Sequence, residues 1–226
     1  MRKIELVIFD CDGVLLDSER ISCECATEAL QSIGMPIDVD TVFRRFVGVA
    51  RSDMAKRVAE EGYPVGPTFV ADLERSIVEA FERRLQSVRG VEHALPRIPL
   101  PVCVASGSPL EYVRNGLRHT GLSEFFEPHL FTAAMVCRGK PAPDLFLYAA
   151  EQMRVAPGEC LVIEDSVSGV KAANAAGMPA FWFLGGSHID LEKRPPDFSS
   201  ATAELTFDSM TDLPELIARF RAKNSS

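Results

Sequence analysis

Ile4-Glu5-Leu6-Val7-Ile8-Phe9-Asp10-Cys11-Asp12-Gly13 is the stretch that decides the fold. A short apolar run, Ile4 to Phe9, stops abruptly at an acid. Near-continuous apolar character over so few residues marks a strand covered on both faces, as in a parallel sheet. Three later runs have the same form. Leu100-Pro101-Val102-Cys103-Val104-Ala105 ends at Ser106-Gly107-Ser108, Cys160-Leu161-Val162-Ile163 ends at Glu164-Asp165, and Ala180-Phe181-Trp182-Phe183-Leu184 ends at Gly185-Gly186. His129-Leu130-Phe131-Thr132 is a shorter fifth.

Helical patterns separate these runs. Ser108-Pro109-Leu110-Glu111 has the makings of a helix start: a Ser cap, Pro at the first position and Glu to close a capping box. Over Pro143 to Met153, Leu145, Phe146, Ala149 and Ala150 fall on one face. Ser166 to Ala176 is rich in small residues that allow close packing on a sheet, and Gly177 with Pro179 stops it. Leu213 to Phe220 is a last helix, and Gly185 to Ala201 is a polar surface loop. Strands alternating with helices predict an α/β fold, with βαβ units and a parallel sheet flanked by helices.

Residues 17–86 read differently, with no convincing strand. Ile21, Cys25, Ala29, Leu30 and Ile33 form a helical stripe closed by Gly34 and Pro36, and Phe69, Leu73, Ile77, Ala80, Phe81 and Leu85 form another. Two shorter helices lie between, divided near Gly48-Val49-Ala50-Arg51. The expected organisation is an all-helical cap, residues 17–86, inserted into a core of residues 1–16 and 87–226.

Composition limits the partners. The chain has 226 residues and a formal charge of −8, from 24 Lys and Arg against 32 Asp and Glu. No broad basic surface is available for nucleic acid or an anionic membrane, and no apolar run reaches the roughly 20 residues of a membrane span. A cytoplasmic protein is expected, a monomer or weak homodimer. The six cysteines lack paired C-x-x-C spacing, so they read as reduced thiols rather than zinc ligands. The four histidines, His93, His119, His129 and His188, share no ligand spacing and read as structural or surface residues. Trp182 and Phe183 read as core.

The chemistry gathers at the strand ends, where open α/β sheets bind their ligands. Asp10 and Asp12, Ser106, and Glu164 with Asp165 all follow strands, and Lys140 lies in the turn Gly139-Lys140-Pro141-Ala142-Pro143. Four carboxylates cannot share a small site uncompensated. Oxygen donors without His or Cys favour Mg²⁺, which usually shares its shell with a substrate phosphate. Ser106 and the helix start after it suit phosphate oxygens, and Lys140 adds a positive charge. Together these suggest phosphoryl transfer. Asp10 would attack phosphorus, and Asp12 would protonate the leaving oxygen and then activate water. Asp165 would hold Mg²⁺ with Asp10, Glu164 would act directly or through water, and Ser106 and Lys140 would balance charge on the equatorial oxygens.

Phe9-Asp10-Cys11-Asp12-Gly13-Val14-Leu15-Leu16-Asp17-Ser18 closely resembles the first motif of the haloacid dehalogenase superfamily. Ser106-Gly107-Ser108, Lys140-Pro141-Ala142-Pro143-Asp144 and Glu164-Asp165-Ser166-Val167-Ser168-Gly169 resemble its second, third and fourth. The resemblance covers nearly the whole chain. It implies a Rossmann-like core, the helical cap after the first strand, Mg²⁺-dependent phosphoaspartyl chemistry, and a metal set of Asp10, Asp12 (through its backbone carbonyl), Asp165 and Glu164. A dehalogenase proper would lack Asp12 and the metal. The expected phosphate- and substrate-binding set is Cys11, Ser106, Gly107, Lys140 and Arg51, and the partner is a small phosphorylated metabolite.

Among branches, the chain most resembles the sugar-phosphate phosphatases and β-phosphoglucomutases. Gly48-Val49-Ala50-Arg51 is similar to that group's cap loop, where an Arg grips a distal anionic group, as a forked guanidinium suits. Mutases carry a His in the first cap helix at the position held here by Ser22, which favours a phosphatase over a phosphosugar mutase. Asp17-Ser18-Glu19, Val42-Phe43-Arg44-Arg45-Phe46 and Gly48-Val49 resemble 6-phosphogluconate phosphatases. The third reading, a regulator that carries an aspartyl-phosphate without turnover, is opposed by Asp12, which promotes hydrolysis, and by the large cap.

Overall fold

The computed structural model describes residues 3–189 and 198–224. The chain divides into two compact units, Met1–Asp17 with Gln86–Ser226, and Ser18–Leu85.

The first unit is built on a six-stranded sheet. In chain order its strands are β1 (Leu6–Phe9), β2 (Val102–Ser106), β3 (Leu130–Thr132), β4 (Cys160–Glu164), β5 (Ala180–Phe183) and β6 (Leu205–Phe207), arranged β3-β2-β1-β4-β5-β6. Every neighbouring pair is parallel. The five apolar runs of the sequence are the first five strands. β6 was not anticipated, because it has only three residues and only Phe207 is buried. So short an edge strand carries no run of apolar residues to signal it.

All four residues of β1 are fully buried. Burial of each such side chain contributes about 1.5–3 kcal/mol, and this drive carries the acid that follows them inward. Phe9 pairs with Val104 on one side and Ile163 on the other. One residue further along, the same register sets Asp10 level with Ala105 and Glu164. From β1 the chain passes to β2 and β3 on one side, then returns to β4 on the other. The change of direction at the carboxyl end of β1 is where an open sheet leaves a crevice.

Alternate strand residues feed opposite layers. Leu6, Ile8, Cys103, Ala105, Cys160 and Val162 pack with Leu145, Phe146 and Ala149 of a helix over Asp144–Gln152. Phe9, from the opposite phase of β1, meets Phe126 edge-on at 5.9 Å.

The second unit is helical: α1 (Glu19–Ser32), α2 (Val39–Phe46), α3 (Arg51–Glu60) and α4 (Phe69–Arg84). The predicted stripe on α4 is buried, from Phe69 to Phe81. On α1 the buried set is Ile21, Cys23, Cys25, Ala26, Thr27 and Leu30, so Ala29 and Ile33 lie to its side. The helix turns Cys23, Ala26 and Thr27 inward, and small or polar residues are weak markers of a buried face. Asp38 caps α2 by accepting from Thr41 N–H at 2.7 Å, and Glu24 of α1 is paired with Arg84 of α4.

The sequence expectation of a surface loop over Gly185–Ala201 falls partly on residues 190–197, outside the described residues. The cysteines are free, and five of the six are buried. No helix among the described residues is long and apolar enough to cross a membrane.

Candidate active site

The site forms at the carboxyl ends of β1, β2 and β4. Asp10 follows β1 directly, and its N–H donates to Ile163 C=O at 2.9 Å, which extends the β1–β4 ladder by one bond. Its carboxylate is therefore placed by the sheet rather than by a loop.

Lys140 comes from a distant turn and is its partner. The Lys140 ammonium donates to Asp10 Oδ1 at 2.6 Å, Glu164 Oε1 at 2.7 Å and Ala105 C=O at 2.9 Å. Three acceptors use all three ammonium protons. The cation also stands 4.9 Å from the centre of the Phe146 ring, a favourable electrostatic position. Burial alone would lower the lysine's pKa. The two carboxylates outweigh it and raise the value, so Lys140 stays charged.

Glu164 is fully buried, and its second oxygen is also satisfied. Oε2 accepts from Asp165 N–H at 3.1 Å, Ser166 N–H at 3.0 Å and the Ser166 hydroxyl at 2.9 Å. Ser166 Oγ in turn caps the helix Val167–Ala175 by accepting from Gly169 N–H. With both oxygens engaged by protein donors, Glu164 is above all the group that anchors Lys140 and the 165–166 turn.

Asp165 is held at both ends. Its backbone carbonyl accepts from Trp182 Nε1 at 2.9 Å. Its carboxylate oxygen Oδ2 lies 3.0 Å from His188 Nε2. Gly13, at φ +81°, makes room for it, since a methyl there would stand 2.0 Å from that oxygen.

Asp12 accepts from the Ser108 hydroxyl at 2.7 Å, and Ser106 Oγ accepts from Ser108 N–H at 3.0 Å. The expected capping box is therefore not formed. The helix runs over Leu110–His119 with no side-chain cap, because the Ser108 hydroxyl is turned to Asp12 instead. Ser106 is fully buried, Gly107 is exposed with open space where a side chain would be, and Cys11 is fully buried beside Asp10. Burial pushes the Cys11 thiol well up, so it stays protonated. Arg51 opens α3 in the helical unit and is partly exposed.

Oxygens of Asp10, Glu164 and Asp165 lie within 4.8 Å of one another. The Asp12 carboxylate is not part of this convergence; it faces Ser108. Burial above all pushes the Asp10 carboxyl well above the usual range. Lys140 opposes that rise, and Glu164, Asp165 and Asp12 add to it. Asp165 is likewise pushed up by burial, against the hydrogen bond from His188. A cluster that still resists ionisation with a lysine in place is short of positive charge, and its donors are hard oxygens. The residues fit a divalent cation of the Mg²⁺ kind.

The structure sets His188 apart from the other three histidines. His93, His119 and His129 are exposed, but the His188 side chain is only 10 % exposed and sits against Asp165. The usable signal was position: it lies in the loop leaving the carboxyl end of β5, the end of the sheet where sites form. Trp182 is core as expected, though its indole N–H also serves Asp165.

A family model for haloacid dehalogenase-like hydrolases matches residues 4–177. A 6-phosphogluconate phosphatase of Escherichia coli is 32% identical over 218 residues, covering 96% of each chain. A haloacid dehalogenase-like protein of unknown function from Agrobacterium tumefaciens superposes with a TM-score of 0.86 at 35% identity, covering 96% of this chain and 99% of that one. A family hydrolase of Deinococcus radiodurans, solved with phosphate and sodium bound, has a TM-score of 0.80 at 29% identity over 97% of both chains.

Proposed function

The chain belongs to the haloacid dehalogenase-like hydrolase family, and within that family we propose that it is a Mg²⁺-dependent phosphatase of a small sugar or sugar-acid phosphate that works through a phosphorylated Asp10. The observation that carries the proposal is the meeting of Asp10, Glu164, Asp165 and Lys140 at the ends of two adjacent strands.

A carboxylate oxygen of Asp10 attacks phosphorus, and the bond from phosphorus to the substrate's ester oxygen breaks. Asp12 gives that oxygen its proton, and the alcohol leaves. The ionised Asp12 then takes a proton from the water that attacks the phosphoaspartate, which frees inorganic phosphate and restores Asp10. The Ser108 hydroxyl keeps Asp12 in place for both transfers. Lys140 and Ser106 face the phosphoryl oxygens as charge builds on them. Asp10, Asp165, the Asp12 backbone carbonyl and, directly or through water, Glu164 would hold the cation. When bound, it neutralises the clustered carboxylates and the phosphoryl charge.

The helical unit, Ser18–Leu85, serves as the cap, and Arg51 grips a second anionic group of the substrate, a carboxylate or phosphate. The similarity to an enzyme named 6-phosphogluconate phosphatase makes that sugar-acid phosphate the leading substrate, with the cytosol as the setting. A screen of phosphorylated metabolites tests the proposal. Phosphate release with Mg²⁺, lost with EDTA and with Asp10→Asn, is the expected result. No release from any member, or release unaffected by Asp10→Asn, contradicts it.

A further inference from the structure

His188 reaches Asp165 from a loop that has no part in the chemistry just described. The loop is fitted closely to what surrounds it. A methyl on Gly186 would stand 2.6 Å from His188 Cε1 and 2.9 Å from the Gly13 carbonyl oxygen, and one on Gly13 would stand 2.7 Å from the same His188 carbon. The imidazole thus lies in a slot between two glycine backbones that no side chain could share. Ser187, between Gly186 and His188, donates its hydroxyl to Asp17 Oδ1 at 2.7 Å and its N–H to the same oxygen at 3.3 Å. The loop is therefore tied to Asp17 through Ser187, lies close against Gly13, and reaches Asp165, after β4, through His188.

We propose that His188 is a positioning residue: its Nε2–H fixes Asp165 Oδ2, and so orients the carboxylate that receives the divalent cation. The inference rests on the metal-site reading of Asp165 given above. A carboxylate only accepts hydrogen bonds when ionised, so the imidazole is the donor at this 3.0 Å contact. His188 does not act as a ligand itself, because the convergent oxygens belong to Asp10, Glu164 and Asp165. A carboxylate held through one oxygen is restricted in its rotation, so its other oxygen favours one direction. Partners of this kind commonly change metal affinity 10–100-fold when removed. Trp182, at the end of β5, fixes the same residue through its backbone. Asp165 is thus oriented twice from one end of one strand.

The test compares the substrate-free protein with His188→Gln, whose amide nitrogen can take the place of Nε2, and with His188→Asn, which is too short to reach. Mn²⁺ binding is followed by electron paramagnetic resonance, folding by thermal melting, and KM by hydrolysis of p-nitrophenyl phosphate at saturating Mg²⁺. The Asn variant is expected to bind Mn²⁺ about 10–100-fold more weakly, the Gln variant to recover most of the loss, and KM to stay unchanged. A residue that only supports the fold would lower the melting temperature and leave Mn²⁺ affinity alone. Equal affinity in all three proteins overturns the inference while leaving the metal site standing. Failure of the native chain to bind Mn²⁺ at all overturns both. If the Asn variant does not fold, proton NMR of the native chain decides. The His188 Nε2–H resonance must persist when Mg²⁺ is added, and its loss overturns the proposal.

Discussion

Lys140 Nζ lies 2.6 Å from Asp10 Oδ1, across 130 residues of sequence. The same nitrogen reaches Glu164, so one cation joins three segments that the chain keeps far apart. Replacing it by the apolar Lys140→Met leaves two buried carboxylates facing each other. Activity is expected to fall by about 10²–10³-fold, as when a preorganised charge partner of the transition state is lost. Stability without metal is expected to drop by about 3 kcal/mol, the cost of breaking a buried ion pair from one side. Urea denaturation and steady-state rates measure the two effects.

In the proposed mechanism Asp12 has a role separable from that of Asp10. With Asp12→Asn the nucleophile is intact but the proton donor and acceptor is gone, and both steps should slow by about 10²–10⁴-fold. The hydrogen bond from Ser108 can still be accepted, so the melting temperature should barely change. Rapid-quench kinetics with thermal melting checks the two together.

Gly169 is needed for its missing side chain. A methyl there would stand 1.7 Å from Glu164 Oε1, so Gly169→Ala displaces the carboxylate that anchors Lys140. A loss of about 1–3 kcal/mol is expected from overpacking, with a fall in activity as Lys140 shifts. A variant as stable and active as the native chain would show that Glu164 does not need its present position.

Glu24 has a pKa below its ordinary 4.5, chiefly through its hydrogen bond from Arg84. A lowered carboxyl adds stability above its unfolded pKa and loses it as pH falls through the lower folded value. Glu24→Gln should therefore destabilise the protein slightly at pH 7, and by less and less as pH falls through the folded value. Arg84 is half exposed and Glu24 a quarter exposed, so the effect should stay under about 1 kcal/mol and shrink with salt. Melting curves across that pH range test the sign.

Much of this architecture was legible because burial and chemistry fall on adjacent residues. β1 announces itself by four apolar residues and is followed at once by Asp10, so strand and candidate nucleophile are read together. The fourth motif is as clear, with Glu164 ending β4 and Asp165 next. Elsewhere the signal was too thin or ambiguous. β6 is three residues long with one buried side chain. Ser108 has the look of a cap, but Asp12, 96 residues away, takes its hydroxyl. His188 sits in a loop whose importance depends on glycines at positions 13 and 186 facing each other, and no local pattern records that.

The central claim is that Asp10 becomes phosphorylated during turnover. It is tested most directly by mass spectrometry of the native and Asp12→Asn proteins, each acid-quenched during turnover with Mg²⁺ and a phosphorylated substrate. The account predicts one hydroxylamine-labile phosphoryl group on the peptide containing Asp10, absent when Asp10→Asn is added. Phosphate release at the native rate from Asp10→Asn, with no phosphorylated peptide at any time, would contradict it.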